Sequence, residues 1–383
     1  MQPQYEVAGV LNAHWFGMQQ SGKLNTWQLR TLDAVRRCRT AALGAHVDGC
    51  THCGHVRISY NSCRNRHCPK CQGAQREQWI QARQQELLPV PYFHVVFTLP
   101  DTLSPLCLHK GKEVYNILFQ TAWSVLNSFG WDNKWLGAQS GMIAILHTWG
   151  QTLSLHPHLH CIVPGGGLTK QGKWKTAKTN GKYLFSVKAM SKVYRGRFIA
   201  LLKERLPEEM RLEFVNELYK RDWVVFAKRP FNGPQSVIEY LGRYTHKIAI
   251  GNHRIKSISD GRITFSYKDY RAAAATKEMS LDALEFIRRF AMHILPKGFV
   301  RIRHYGIVSS TSKSACAVVI KTQLPPMPEV KNKEASTKIF NPAQCPCCKK
   351  ETMLTILRFN RRGPPAGWED MAKTILECLA LKN

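Results

Sequence analysis

Apolar and polar positions along this chain alternate with recognisable periods. Between residues 23 and 43, Leu29, Leu32, Val35 and Cys38 recur every third position with Arg36, Arg37 and Arg39 off the stripe, which predicts an amphipathic helix. A second helix is expected over 74–88, stopped by Pro89. Residues 92–99 read as a strand ended by Pro100, and 112–129 as a buried helix. Residues 143–149 and 159–163 read as two strands joined by a short turn, the second ended by Pro164 and three glycines. Ser186 is placed to cap a helix running to about Leu206. A strand follows over 223–227. After the Gly233-Pro234 break, Ser236 is placed to cap a helix carrying Tyr240 and Tyr244. Residues 255–267 form a hairpin turning at Asp260-Gly261, 281–295 an amphipathic helix, and 322–343 a polar linker. No internal repeat is visible. Strands mixed with helices, and a hairpin among them, predict an α+β fold built on an antiparallel sheet.

Charge narrows the partner. Fifty-five Lys and Arg stand against 26 Asp and Glu, a formal +29 over 383 residues. That excess is far beyond what solubility needs and points to a polyanion. The basic residues are spread through folded segments, not gathered on one amphipathic helix, so a membrane surface is disfavoured. No stretch has the ~20 apolar residues of a membrane span, and the N-terminus lacks the pattern of a signal peptide. The expected location is the cytoplasm. Thirteen cysteines without an export signal then read as reduced thiols and metal ligands.

Cys50-Thr-His-Cys53 and Cys68-Pro-Lys-Cys71 are two C-x2-C pairs fourteen residues apart. Four thiolates at that spacing predict one tetrahedral structural Zn²⁺, with Gly54 suiting the tight turn after the first pair. Cys63 and His67, with His52 and His55 nearby, are further ligands or else packing and phosphate contacts. Arg57, Arg64, Arg66 and Lys70 around the pairs are candidate DNA contacts. A lone C-x2-C, Cys345 and Cys348, has no partner pair in its neighbourhood, and Arg358, Arg361 and Arg362 follow it.

In His156-Pro-His158-Leu-His160, a strand would set His158 and His160 on one face, half of a metal site. His147, on the preceding strand, is the preferred third ligand, with His156 and His94 as competitors. A helix would stack Tyr240 and Tyr244 one turn apart, with Arg243 and Lys247 available for phosphate. A divalent metal, Mg²⁺ or Mn²⁺, beside a pair of phenols is what strand cleavage by a tyrosine nucleophile requires.

VVFTLP (95–100), HPHLH (156–160) and YLGRY (240–244) resemble the three motifs of the HUH single-strand endonucleases, U being a hydrophobic residue. The layout is similar to that of the two-tyrosine rolling-circle transposases of the insertion sequence ninety-one family. CTHCGH and RHCPKCQ resemble that family's N-terminal zinc-binding domain. The resemblance covers roughly residues 10–310. It implies an antiparallel HUH core with flanking helices, preceded by a small zinc-binding domain. It also implies that Tyr240 and Tyr244 cut and join single-stranded DNA through a 5′-phosphotyrosine, leaving a 3′-OH that primes replication by host machinery. His158 and His160 are then the metal ligands, and the third lies on the preceding strand, which favours His147. The expected division is a zinc-binding DNA-recognition domain at 1–90, the nuclease at 91–310, and a linker with a basic tail at 311–383. A rolling-circle replication initiator is the rival within the same chemistry. A zinc-containing regulator without catalysis is the rival outside it, and would leave the histidine and tyrosine pairs without a use. No phosphate-binding P-loop appears, so no fused ATPase is expected.

Overall fold

The structure is a computed structural model, described over residues 3–72, 87–178, 184–228, 237, 248–270, 272–324 and 341–380. Its strands in chain order are β1 (Ala45–Cys50), β2 (Val56–Tyr60), β3 (Tyr92–Thr98), β4 (Gly141–Trp149), β5 (Leu155–Pro164), β6 (Gly166–Leu168), β7 (Trp174–Thr176), β8 (Val225–Lys228), β9 (Ile255–Ser259), β10 (Arg262–Asp269), β11 (Ala275–Asp282), β12 (Ile302–Gly306) and β13 (Met353–Phe359). Every pairing among the described residues is antiparallel, so the fold is α+β as expected.

The central sheet has five strands in the order β12-β4-β5-β3-β8. Period-2 alternation sorts its side chains. Phe93, Val95 and Phe97 of β3, Ala144 and Leu146 of β4, and Leu159, Cys161 and Val163 of β5 all belong to one core. Two helices cover that face, Gly111–Trp131 and Val187–Arg205, contributing Ile117, Leu118, Tyr194 and Phe198 among others. The opposite parity, Tyr92, Ile143, Ile145 and Ile162, belongs to a separate cluster with Leu88, Val237 and Ile307. Ser186 caps the Val187–Arg205 helix, accepting from the Ala189 N–H.

β5 starts at Leu155, earlier than the pattern at 159–163 suggested, so the whole HPHLH motif lies within the strand. The hairpin at Asp260-Gly261 forms with both residues at positive φ, as a tight two-residue turn requires. A third strand, β11, extends this hairpin to a three-stranded sheet. The helix expected from 281 therefore starts only at Ala283, where the Asp282 carboxylate accepts from the Leu284 and Glu285 N–H groups. The N-terminal helices pack here. Val7, Val10, Leu11, Leu32 and Val35 share a core with Ile263, Phe265, Phe286 and Phe290.

The packing thus crosses the expected boundary at residue 90. It crosses the one at 310 too: β13 pairs with β1, giving a sheet in the order β13-β1-β2, and the Trp368–Ala380 helix packs against it. The helix expected over 74–88, the tyrosine helix and most of the 322–343 linker fall outside the described residues, except Leu87, Leu88 and Val237 and the ends of the linker. Among the described residues no helix is long and apolar enough to cross a membrane.

Candidate functional site: a histidine cluster, two thiol clusters and a basic groove

β4 and β5 pair so that His147 lies directly opposite His158, and Ile145 opposite His160. All three histidines therefore share one sheet face, and each offers a ring nitrogen within 4.8 Å of the others. The hydrogen bonds fix which nitrogens converge. His158 Nδ1 lies 2.6 Å from the His156 carbonyl, so it carries the proton and leaves Nε2 with its lone pair. His160 Nδ1 faces His94 Nε2 at 2.9 Å, and His160 Nε2 lies 3.1 Å from His158 Nε2. Two imidazoles bound to one ion at about 2.1 Å each would have nitrogens roughly 3 Å apart. The donor set and its spacing fit a divalent metal.

His147 and His160 are buried and His158 is half-buried. The His147 ring stacks on Trp149 at 4.7 Å between centroids, and the Arg301 guanidinium sits over the other partner, 5.1 Å from the Trp149 ring centre. Arg301 is held by its Nε–H to the Leu146 carbonyl at 3.0 Å, and burial pulls its pKa down to about 9. His94 is not a member of the converging set; it stands behind His160 on β3, diagonal to it across the β3–β5 register. His156 is displaced from the set too, supplying its carbonyl rather than its ring.

The two C-x2-C pairs do not share one site. Cys50 and Cys53 gather with Cys345 and Cys348, whereas Cys68 and Cys71 gather with Cys38 and Cys63. The reason is the length of the β1–β2 hairpin. Cys50 ends β1 at the hairpin tip, while the chain leaves β2 at Tyr60, opposite Ala45. Five residues of strand at about 3.3 Å each put roughly 17 Å between Cys50 and the point where the chain leaves β2. Each cluster matches zinc on its own: Sγ–Sγ separations are 3.5 Å for Cys38–Cys71, 3.7 Å for Cys63–Cys71, and 3.7 Å for both Cys50–Cys348 and Cys53–Cys345. A tetrahedron with Zn–S bonds of 2.3 Å has edges of about 3.8 Å. Hydrogen bonding from Cys63, then from Cys68, holds the Cys38 thiol far below its ordinary pKa. The helical stripe Leu29, Leu32, Val35 and Cys38 hides this ligand in the sequence; a cysteine placed directly after a helix and 25 positions before Cys63 carries no spacing signal.

The basic residues around the pairs divide as well. Arg66 turns inward and donates to the Phe299 and Pro296 carbonyls, and Lys70 pairs with Glu6 at 2.7 Å. Both side chains are engaged with partners inside the fold. Arg57 and Arg64 line a groove of about 1260 Å³ over the β13-β1-β2 sheet, with Arg39, Arg358, Tyr60 and Phe359. At its floor Asp48 accepts from Arg57, Ser59 and Thr355. His67 and His293 line one small cavity with Arg66, Trp149 and Arg301. Burial keeps both neutral, pushing His67 down to about 3 and His293 to about 4. Tyr240, Tyr244, Arg243 and Lys247 lie outside the described residues. The residues that bracket them are placed: Val237 is buried in the cluster with Ile143, Ile145 and Ile162, on the sheet face that bears the histidines, and Ala249 lies with Trp149 around one small cavity.

Two family models match the chain. A model described as a transposase zinc-binding domain covers residues 10–99, and one described as a putative transposase covers 141–315. The chain is 40% identical over 395 aligned positions to the putative transposase y4qJ of Sinorhizobium fredii, spanning 95% of this chain and 98% of that protein. It is 30% identical over 321 positions to the transposase for insertion sequence element IS801 of Pseudomonas savastanoi pv. phaseolicola, spanning 78% of this chain and 74% of that protein. No solved structure matches it.

Proposed function

Because this chain belongs to the insertion sequence ninety-one family of transposases, with that family's N-terminal zinc-binding domain, we propose that it cuts and joins single-stranded DNA through tyrosine at the histidine cluster. The observation that carries this reading is the convergence of His147, His158 and His160 on the sheet face that also buries Val237. Val237, Tyr240 and Tyr244 are spaced i, i+3 and i+7. The helix expected from sequence would turn all three to the same side, toward the histidines.

His147, His158 and His160 would hold Mg²⁺ or Mn²⁺, which supplies polarisation of a phosphoryl oxygen. The remaining work falls to the chain itself. One phenol, Tyr240 or Tyr244, loses its proton and attacks phosphorus. The bond to the 3′ oxygen breaks, that oxygen takes up a proton, and the tyrosine is left joined to the 5′ phosphate. The second phenol serves a second cleavage or the joining step. His94 and the His156 carbonyl hold the ligand rings in the orientation that turns Nε2 inward. Arg243 and Lys247 neutralise phosphate near the phenols. The basic groove with Arg57 and Arg64, set with Tyr60 and Phe359, suits a strand bound by phosphate contacts and base stacking. Priming of host replication from the released 3′-OH completes the rolling-circle reading.

The test is covalent capture. A single-stranded oligonucleotide carrying the element's end, incubated with the protein and Mn²⁺, is expected to give an adduct that mass spectrometry maps to Tyr240 or Tyr244. The Tyr240→Phe/Tyr244→Phe double variant should give none, and His160→Ala should bind DNA without cutting it. An adduct on another residue, or one persisting in the double variant, overturns the mechanism.

A further inference from the structure

We propose that Cys50, Cys53, Cys345 and Cys348 form a second structural zinc site, separate from the one at Cys38, Cys63, Cys68 and Cys71, that fastens the C-terminal segment into the zinc-binding domain. The matched zinc-binding region ends at residue 99 and the matched transposase region at 315, so half of this ligand set lies outside both.

The two halves are built alike. In the first, the Gly54 N–H donates to the Cys50 carbonyl at 3.0 Å and the Cys50 N–H to the His55 carbonyl at 2.9 Å. In the second, the Lys349 N–H donates to the Cys345 carbonyl at 3.0 Å and the Cys345 N–H to the Lys350 carbonyl at 2.8 Å. The residue after each second cysteine is left-handed, Gly54 at φ 70° and Lys349 at φ 64°. Glycine takes that conformation without strain, whereas lysine takes it against a steric penalty. Two turns of the same hydrogen-bond pattern, one of them strained, bring four thiols to tetrahedral spacing. That is the geometry of a paired-knuckle zinc site, not of four cysteines that happen to pack.

The surroundings agree. Cys50 and Cys345 are fully buried with Met353, the first residue of β13. Cys50 pairs with Met353 across the β1–β13 ladder, and the Thr51 N–H donates to the Thr352 carbonyl at 3.1 Å. The metal would therefore close the same junction that the strand pairing opens. It would also hold in place β13, which supplies Arg358 and Phe359 to the groove.

The experiment is zinc counting on the full chain with cysteine footprinting. Two zinc ions per chain are expected, falling to one in Cys345→Ser/Cys348→Ser and to one in Cys38→Ser/Cys63→Ser. Footprinting of the unmodified chain keeps the test independent of how the variants fold. Cys50, Cys345 and Cys348 should resist alkylation while zinc is bound and react after chelation, with the exposed Cys347 and Cys378 reacting throughout. One zinc per chain in the parent, two retained in Cys345→Ser/Cys348→Ser, or equal alkylation of Cys348 with and without zinc would each overturn the proposal.

Discussion

His94 decides which nitrogen His160 turns toward the cluster. Its Nε2 stands 2.9 Å from His160 Nδ1, the two rings are nearly parallel, and both are buried. Outer groups of this kind fix a ligand's tautomer, and their loss commonly weakens metal binding about 10–100-fold. His94→Leu is therefore expected to raise the Mn²⁺ concentration needed for half-maximal cleavage by about that factor. Cleavage at saturating metal should be nearly retained, and His94→Gln should recover part of the shift. Metal titrations of oligonucleotide cleavage check it; an unchanged midpoint in His94→Leu would reduce His94 to packing. Much of this site was legible in the sequence. The period of a strand puts His158 and His160 on one face, and a hairpin register brings His147 to them. The position of His94 was not legible, because it rests on the diagonal between β3 and β5, which no local pattern specifies. The His156 ring was displaced for an equally local reason, its carbonyl being the nearest acceptor for His158 Nδ1.

At the scale of elements, the N-terminal sheet is held from both sides of the chain. Gly49 of β1 sits under Leu376 of the Trp368–Ala380 helix, and a Cβ there would stand 2.6 Å from Leu376 Cδ2 and 3.0 Å from Ile356 Cδ1. Leu376 and Ala372 of that helix are buried. Gly49→Leu is expected to overpack the junction, costing about 1–3 kcal/mol, and to lift the helix from the sheet. Leu376→Ala in the same chain should relieve part of the clash, so the double variant should be more stable than the sum of the single changes. Thermal unfolding with limited proteolysis of the 360–368 connection measures both effects; strictly additive losses would mean that the helix does not dock as described. The zinc pairs show why sequence spacing fell short here. Fourteen intervening residues suit one tetrahedron if they form a compact loop, but part of that length is spent on β2, and the pairs end up at opposite ends of the hairpin. The partner that completes the first pair lies about 300 positions away, on the far side of the β1–β13 ladder, beyond the reach of any local pattern.

Over the whole molecule, charge is the property that the sequence stated most directly and the fold distributes. Some of the acidic minority is occupied locally: Asp33 pairs with Arg36 and Arg37, Asp48 with Arg57, and Glu285 with Arg288 and Arg289. The excess of 55 basic over 26 acidic side chains is left to face a partner. Each phosphate contact to a single strand releases counterions and contributes roughly −0.7 to the slope of log affinity against log salt, so about six contacts weaken binding about 300-fold between 50 and 200 mM. The location of those contacts can be read from the same slope. Arg39, Arg64 and Arg358 are exposed and line the groove, whereas Lys188, Lys192 and Lys203 are exposed on the Val187–Arg205 helix, which covers the sheet face away from the histidines. Removing all three groove arginines should flatten the slope by roughly 2 and weaken binding at every salt concentration. Removing the three helix lysines removes the same formal charge, and should change affinity only through the general field, leaving the slope nearly intact. Fluorescence anisotropy of a labelled single strand over a salt series separates the two. Equal losses of slope in both triple variants would mean that the strand is held by diffuse charge, not by the groove on the β13-β1-β2 sheet.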